Sequence, residues 1–239
     1  ASSIFLFWFL PLAIGLYYAV PGRARLAVLS AFSVLFYAWW RPDFVLLMVI
    51  SSVIDFWAGG RLPKISSLRG RRALLLFSLV TNLGLLGYYK YANFGVETLN
   101  SLLLALGRQP VPWVEVVLPV GISFFTFQSM SYTIDIYRGE VQPIRSFLAF
   151  FAYVSMFPQL VAGPIVRFRD VAEQIVHRTH SWSKVALGCL LFQMGFAKKV
   201  LLADGVAPVV DQAFALPDPG FGGVARDVRL HAADLLRLL

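Results

Sequence analysis

The sequence predicts an all-α fold, a polytopic membrane bundle of about seven hydrophobic segments, some of them short, broken or re-entrant. Three observations carry this. Only 34 of 239 residues are charged, 58% are hydrophobic, and the stretches 1–22, 73–89, 116–134 and 146–166 contain no Asp, Glu, Lys or Arg. A soluble domain carries charge at about a quarter of its positions, and a bilayer core needs about 20 apolar residues per helix. Shorter uncharged runs at 26–40, 44–54 and 185–197 supply the remaining, tilted or partly buried segments.

The first segment lacks a basic leader region and a small-residue cleavage pattern, so it reads as a retained helix, with Pro11 expected to kink or break it. The second, 26–40, ends in FYAWW, where Trp39 and Trp40 suit the membrane interface. Pro42 and Asp43 restart a helix towards Trp57, with Asp43 as its cap and Gly59 and Gly60 as its end. Asp55 is the one acid of that segment. A carboxylate in lipid is expensive, so it must face a polar partner or lie at the boundary, and its place near the segment's end favours the boundary.

A basic loop follows, with Arg61, Lys64, Arg69, Arg71 and Arg72 in twelve residues. Such a loop between two apolar helices fits the positive-inside pattern and not nucleic-acid binding. The fourth span begins after it, and Asn82 within that span requires a partner inside the bundle. From 97 to 113 the apolar core is only LLLALG, which predicts a separate surface or re-entrant helix.

The fifth span, 116–137, is interrupted at Pro119 and Gly121 and carries many polar side chains. Interrupted backbone in lipid is tolerated where it lines a protein cavity, which makes Ser123, Gln128, Tyr132, Asp135 and Arg138 the candidate substrate or cavity-lining residues. The alternative is that Ser and Thr satisfy the helix while Asp135 and Arg138 pair at an interface. The sixth span, 147–161, is broken by Pro158, Gly163 and Pro164; the seventh covers 185–202.

Loop charge tests the topology. The loops after spans one, three, five and seven carry net +2, +5, +1 and about +1, which places the N-terminus outside and the basic loop inside. The basic segment 163–184 conflicts with this parity. One segment must therefore be re-entrant, and the broken 147–166 region has the features of one.

Cys189 is the one cysteine, read as a small buried hydrophobe, and it excludes an intrachain disulfide. His177 and His180 share a polar loop, and His231 lies in a leucine-bearing tail, without any metal-ligand spacing. No bound cofactor and no metal is expected. Hydrolase-elbow, P-loop and dinucleotide motifs are absent.

Six motifs nevertheless occur in order: FLPLAIGLYY (9–18), FYAWWRPDF (36–44), GYYKYANFG (87–95), LPVGISFFTFQSMSYTIDIYRG (118–139), FPQLVAGPIVRF (157–168) and GFAKKVLLAD (195–204). In these the chain resembles the membrane-bound O-acyltransferase family, specifically its bacterial alginate O-acetylase branch, over residues 1–220 and corresponding to the N-terminal half of a member. The resemblance implies a multi-pass protein of the bacterial inner membrane that transfers acyl groups, acetyl in this branch, to hydroxyls of alginate or a related exopolysaccharide. It also implies an acyl donor as substrate, periplasmic or membrane acetylation proteins as partners, and a histidine base. That histidine follows a DFSGYSDMA-like run in the family, and neither occurs in this sequence, so no catalytic residue is assigned and His231 is not put in its place. Residues 221–239 read as an atypical tail, from a shifted frame or an early stop, and the chain alone is expected to be inactive. A membrane transport component and a noncatalytic assembly protein remain the alternatives.

Overall fold

The computed structural model describes residues 3–160, 163, 166–176 and 178–215. The atypical tail at 221–239, His177 and His231 lie outside them. Among the described residues all regular structure is helical, and three helices are long and apolar enough to cross a membrane: Asp43–Lys64, Leu68–Ala105 and Trp182–Asp211. The chain divides into two compact units between Arg178 and Thr179, inside the stretch that the sequence assigns to one domain.

The first unit opens with a π-type turn, Phe5–Phe9, leading into α1 (Leu10–Ala19). Leu10 N–H bonds to Phe5 O, one residue further back than in an α-helix, so Pro11 enters with its missing donor at the helix start instead of breaking a regular ladder. Helix α2 (Arg25–Ala38) returns, and α3 (Asp43–Arg61) follows a short turn. Asp43 does not cap α3 with its side chain; it occupies the first turn and forms an ion pair with Arg41 at 2.6 Å. Nor do Gly59 and Gly60 end the helix. A Cβ on Gly59 would run into the Tyr132 ring and lie 2.9 Å from Ile136 Cδ1, so this glycine lets α5 approach.

Helix α4 (Leu68–Ala105) is capped by Ser67 and continues without interruption for 38 residues. At 1.5 Å per residue it is about 57 Å long, nearly twice the hydrocarbon thickness. The separate helix expected over 97–113 is thus the far end of α4, because LNSLLLA keeps helix-forming residues up to Gly107, whose φ of 69° ends it. Asn93 and Asn100 on this extension hold the loop that returns to α5. Asn93 Nδ2 donates to Val116 O at 2.8 Å, its Oδ1 accepts from Val116 N and Trp113 Nε1, and Asn100 brackets Val111 in the same way.

Helix α5 (Ile122–Arg138) lies at the centre, packed on α3 and α4 on one side and on α6 and α8 on the other. Gly121 and Gly139 flank it with φ of 75° and 79°, and the Gly139 and Glu140 amides bond back to Ile136 O and Asp135 O. Helix α6 (Phe147–Ser155) is almost wholly buried and stops before Pro158; the four-residue α7 (Phe157–Leu160) continues at a new angle. The break is satisfied by α2, where Ser33 Oγ accepts from the Phe157 amide at 3.2 Å. Helix α8 (Phe168–Val176) then lies back against α5 and α6: Phe168 packs on Tyr132 and Tyr153, and Arg169 pairs with Glu140 at 2.9 Å.

Residue 169 has therefore returned to the end of the bundle that residue 146 left. The α6–α7 segment thus turns back within the bundle, the course that the charge conflict at 163–184 favours. Up to Arg178 this end gathers twelve Lys and Arg residues against four acids, whereas the opposite end holds three of each.

The second unit contains α9 (Trp182–Ala197), a π-type turn at Lys198–Ala203 and α10 (Asp204–Ala215), with Lys199 bridging to Asp204 at 2.8 Å. Cys189 is exposed here and not buried, because α9 is apolar all round and no residue of it is covered among the described residues.

Candidate functional site

Helix α5 turns polar side chains towards both of its neighbours. Towards α3 and α4, three small polar pairs meet, each four residues apart on its own helix: Ser51 with Asp55, Ser78 with Asn82, and Ser129 with Thr133. An i, i+4 spacing places both members of a pair on one helix face. Asp55 is fully buried and saturated. Ser78 Oγ donates to its Oδ1 at 2.5 Å, Asn82 Nδ2 donates to both oxygens at 2.9 Å, and Ser129 Oγ donates to Oδ2. Ser51 Oγ donates to Asn82 Oδ1 at 2.5 Å, which fixes the amide so that its NH2 faces the carboxylate.

Asp55 is thus an interior joint of three helices, not a boundary residue. Its distance from the end of α3 on the sequence misleads because α3 runs on to Arg61. Asn82 has the bundle partners its burial demands. The Ser78 and Ser129 contributions escape a reading that takes one hydrophobic segment at a time. The repeated i, i+4 pairing in three apolar helices is the signal that finds them.

Towards α6 and α8, Gln128 is buried and donates to Tyr153 O at 2.7 Å. Tyr153 in turn donates its hydroxyl to Val166 O at 2.7 Å, tying α6 to the segment that precedes α8. Tyr132 is fully buried, its ring 4.5 Å from Phe150 and 4.9 Å from Phe168, and its hydroxyl has no hydrogen-bond partner among the described residues. Asp135 is buried with Oδ2 likewise unpartnered, and it pairs with neither Arg138 nor Arg169 within bonding distance. Arg138 is exposed and reaches Glu140 at 3.9 Å, while Ser123 is half-buried near the opposite end of α5. Gln128, Tyr132 and Asp135 therefore share one buried face; Ser123 and Arg138 stand at the two ends of the helix.

A cavity of about 550 Å³ opens at the basic end, bordered by the α5–α6 loop, the starts of α2 and α6, and α8. Leu26, Ile144, Ala149, Phe168, Ala172 and Ile175 line it, with Arg145 as the one charged border residue among the described residues. The five α5 candidates lie outside this lining. The Glu140 carboxylate beside Arg169, outside the spans, holds that guanidinium above its ordinary pKa by a direct hydrogen bond.

The chain is 46% identical to a probable alginate O-acetylase AlgI of Azotobacter vinelandii and 45% identical to that of Pseudomonas aeruginosa, each over 98% of this chain. It is 28% identical, over 89% of its length, to a peptidoglycan O-acetyltransferase of Helicobacter pylori. It spans about half the length of these curated relatives, covering 47%, 45% and 46% of them. No solved structure matches. The profile of MBOAT, the membrane-bound O-acyltransferase family, matches residues 115–218, which run from the loop before α5 through α9 to the end of α10. In that match, and in the similarity of nearly the whole chain to about half of each alginate relative, the chain is similar to the membrane-bound O-acyltransferase family.

Proposed function

We propose that this chain forms part of a bacterial inner-membrane O-acetyltransferase that moves acetyl groups onto hydroxyls of alginate or a related exopolysaccharide. The observation that carries the reading is the 40–46% identity, over 98% of the chain, to five proteins named as probable alginate O-acetylases. The peptidoglycan O-acetyltransferase keeps the reaction class and changes the polymer, so acyl transfer to a glycan hydroxyl is the common element.

In this reading the basic end faces the cytoplasm, following the excess of Lys and Arg there. The acetyl donor comes from that side, and the polymer and its acetylation partner proteins meet the opposite end. The contribution of α3 to α8 is positional. A fixed wall that holds donor and hydroxyl together removes translational freedom before the chemical step. The histidine base of the family is not assigned to any residue described above.

A chimera tests this. The matching segment of an alginate O-acetylase is replaced by this chain's sequence in a strain lacking its own, and acetyl ester per uronate is measured on the secreted alginate. Acetylation restored above the null strain is expected. A chimera that is expressed and membrane-inserted, yet leaves alginate at the null level while the unaltered relative restores it, contradicts the proposal.

A further inference from the structure

The cavity at the basic end has no part in the positional role just described. Its lining is apolar apart from Gln142, Ser146 and Arg145, and its volume of about 550 Å³ falls in the range of clefts that enclose small ligands. Arg145 is exposed and has no acidic partner among the described residues. Beside Leu26, another lining residue, Arg25 lies over the Tyr17 and Tyr18 rings at 5.6 and 5.8 Å, and its Nε, though buried, finds no acceptor.

We propose that this cavity is a binding site for an anionic phospholipid, with part of an acyl chain in the apolar slot and the phosphate at Arg145. Three features select this occupant. The slot lies where α2 and α6 begin, at the level where spans emerge towards the headgroups. The cations of this end outnumber its acids twelve to four, which complements an anionic headgroup and not a zwitterionic one. A free phosphate or a nucleotide would satisfy Arg145 and leave the apolar lining wet, whereas an amphiphile satisfies both. Helix α8 supports the site from below: Phe168 and Ile175 are buried towards the bundle while Arg169, Asp170 and Glu173 face outwards.

The test is native mass spectrometry of the purified chain, released from detergent after incubation with equimolar phosphatidylglycerol and phosphatidylethanolamine. The unaltered chain is expected to retain phosphatidylglycerol preferentially. Arg145→Gln should cut that preference about fivefold, the effect of about one cation near an anionic headgroup. Ala172→Trp should fill the slot and lower retention of both lipids with Arg145 intact. Circular dichroism and a monodisperse elution profile establish that each variant is folded. Equal retention of the two lipids by the unaltered chain, or an unchanged preference in folded Arg145→Gln, overturns the proposal. So does displacement of the bound lipid by acetyl-coenzyme A or inorganic phosphate at millimolar concentration, which would make the cavity a site for a soluble anion.

Discussion

The two ends of the bundle are built by different means. At the opposite end, order comes from two asparagines on the α4 extension, which satisfy the backbone of 111–116 almost as a neighbouring strand would. At the basic end, order comes from aromatic packing of Phe168 against Tyr132 and Tyr153 and from a tyrosine hydroxyl on a carbonyl. The first device pins a loop and leaves little room. The second leaves a cavity and a surplus of cations. Between them the Asp55 joint belongs to neither end, so a change there should reach both, while a change at one end should stay local.

The largest effect is expected at that joint. Asp55→Ala would strip the acceptor from Ser78, Asn82 and Ser129 in a buried site, at a cost of about 3 kcal/mol if two of the three donors go unsatisfied. Thermal unfolding in detergent should show the loss, and hydrogen exchange should rise at both ends. Protection lost at one end alone would show that the joint does not couple them.

Next comes Gly59→Val, which forces side-chain atoms into the space held by Tyr132 and Ile136. Overpacking of this kind costs about 1–3 kcal/mol. It should loosen α5 against α3 and leave the asparagine-pinned loop protected, since that loop is held by α4. Stability equal to the unaltered chain would mean that α3 and α5 do not approach as closely as described.

Two smaller substitutions separate the ends. Tyr153→Phe removes the hydrogen bond to Val166 O, about 1 kcal/mol, and should raise exchange in α8 only. Asn93→Ala should raise exchange and proteolysis over 111–116 without touching α8, by a similar amount. Were either variant to loosen the far end as much as the near one, the division drawn above would fail. The smallest effect belongs to the exposed Arg169–Glu140 pair, where Glu140→Gln should leave the melting temperature in detergent unchanged within the scatter of repeat measurements.

What the sequence makes legible is whatever depends on one segment at a time. Uncharged runs identify the helices, and the basic loop orients them. The excess of Arg over acid at 163–184 even demands the re-entrant α6–α7, because charge bias is a property of a loop and not of its packing. Three readings fail where the answer lies on another helix. Gly59 and Gly60 look like a stop signal until the Tyr132 ring is placed opposite; Asp55 looks peripheral until Ser78 and Ser129 arrive from two other segments. The helix expected at 97–113 is the continuation of α4, since nothing between Tyr91 and Ala105 interrupts a helix once lipid no longer sets its length. Of the α5 candidates, the buried face formed by Gln128, Tyr132 and Asp135 follows from helical spacing, while the cavity at the basic end needs α2, α6 and α8 together and has no local signature.

The re-entrant segment is the claim on which the two-ended description rests, and sidedness of labelling tests it most directly. In a Cys189→Ser background, single cysteines replace Lys64, Gln109 and Arg178 in sealed vesicles of known orientation, and a membrane-impermeant maleimide is added from one side at a time. The account predicts that positions 64 and 178 label from the same side and position 109 from the other. Labelling of position 178 from the side of position 109 would make α6–α7 a full crossing and contradict it.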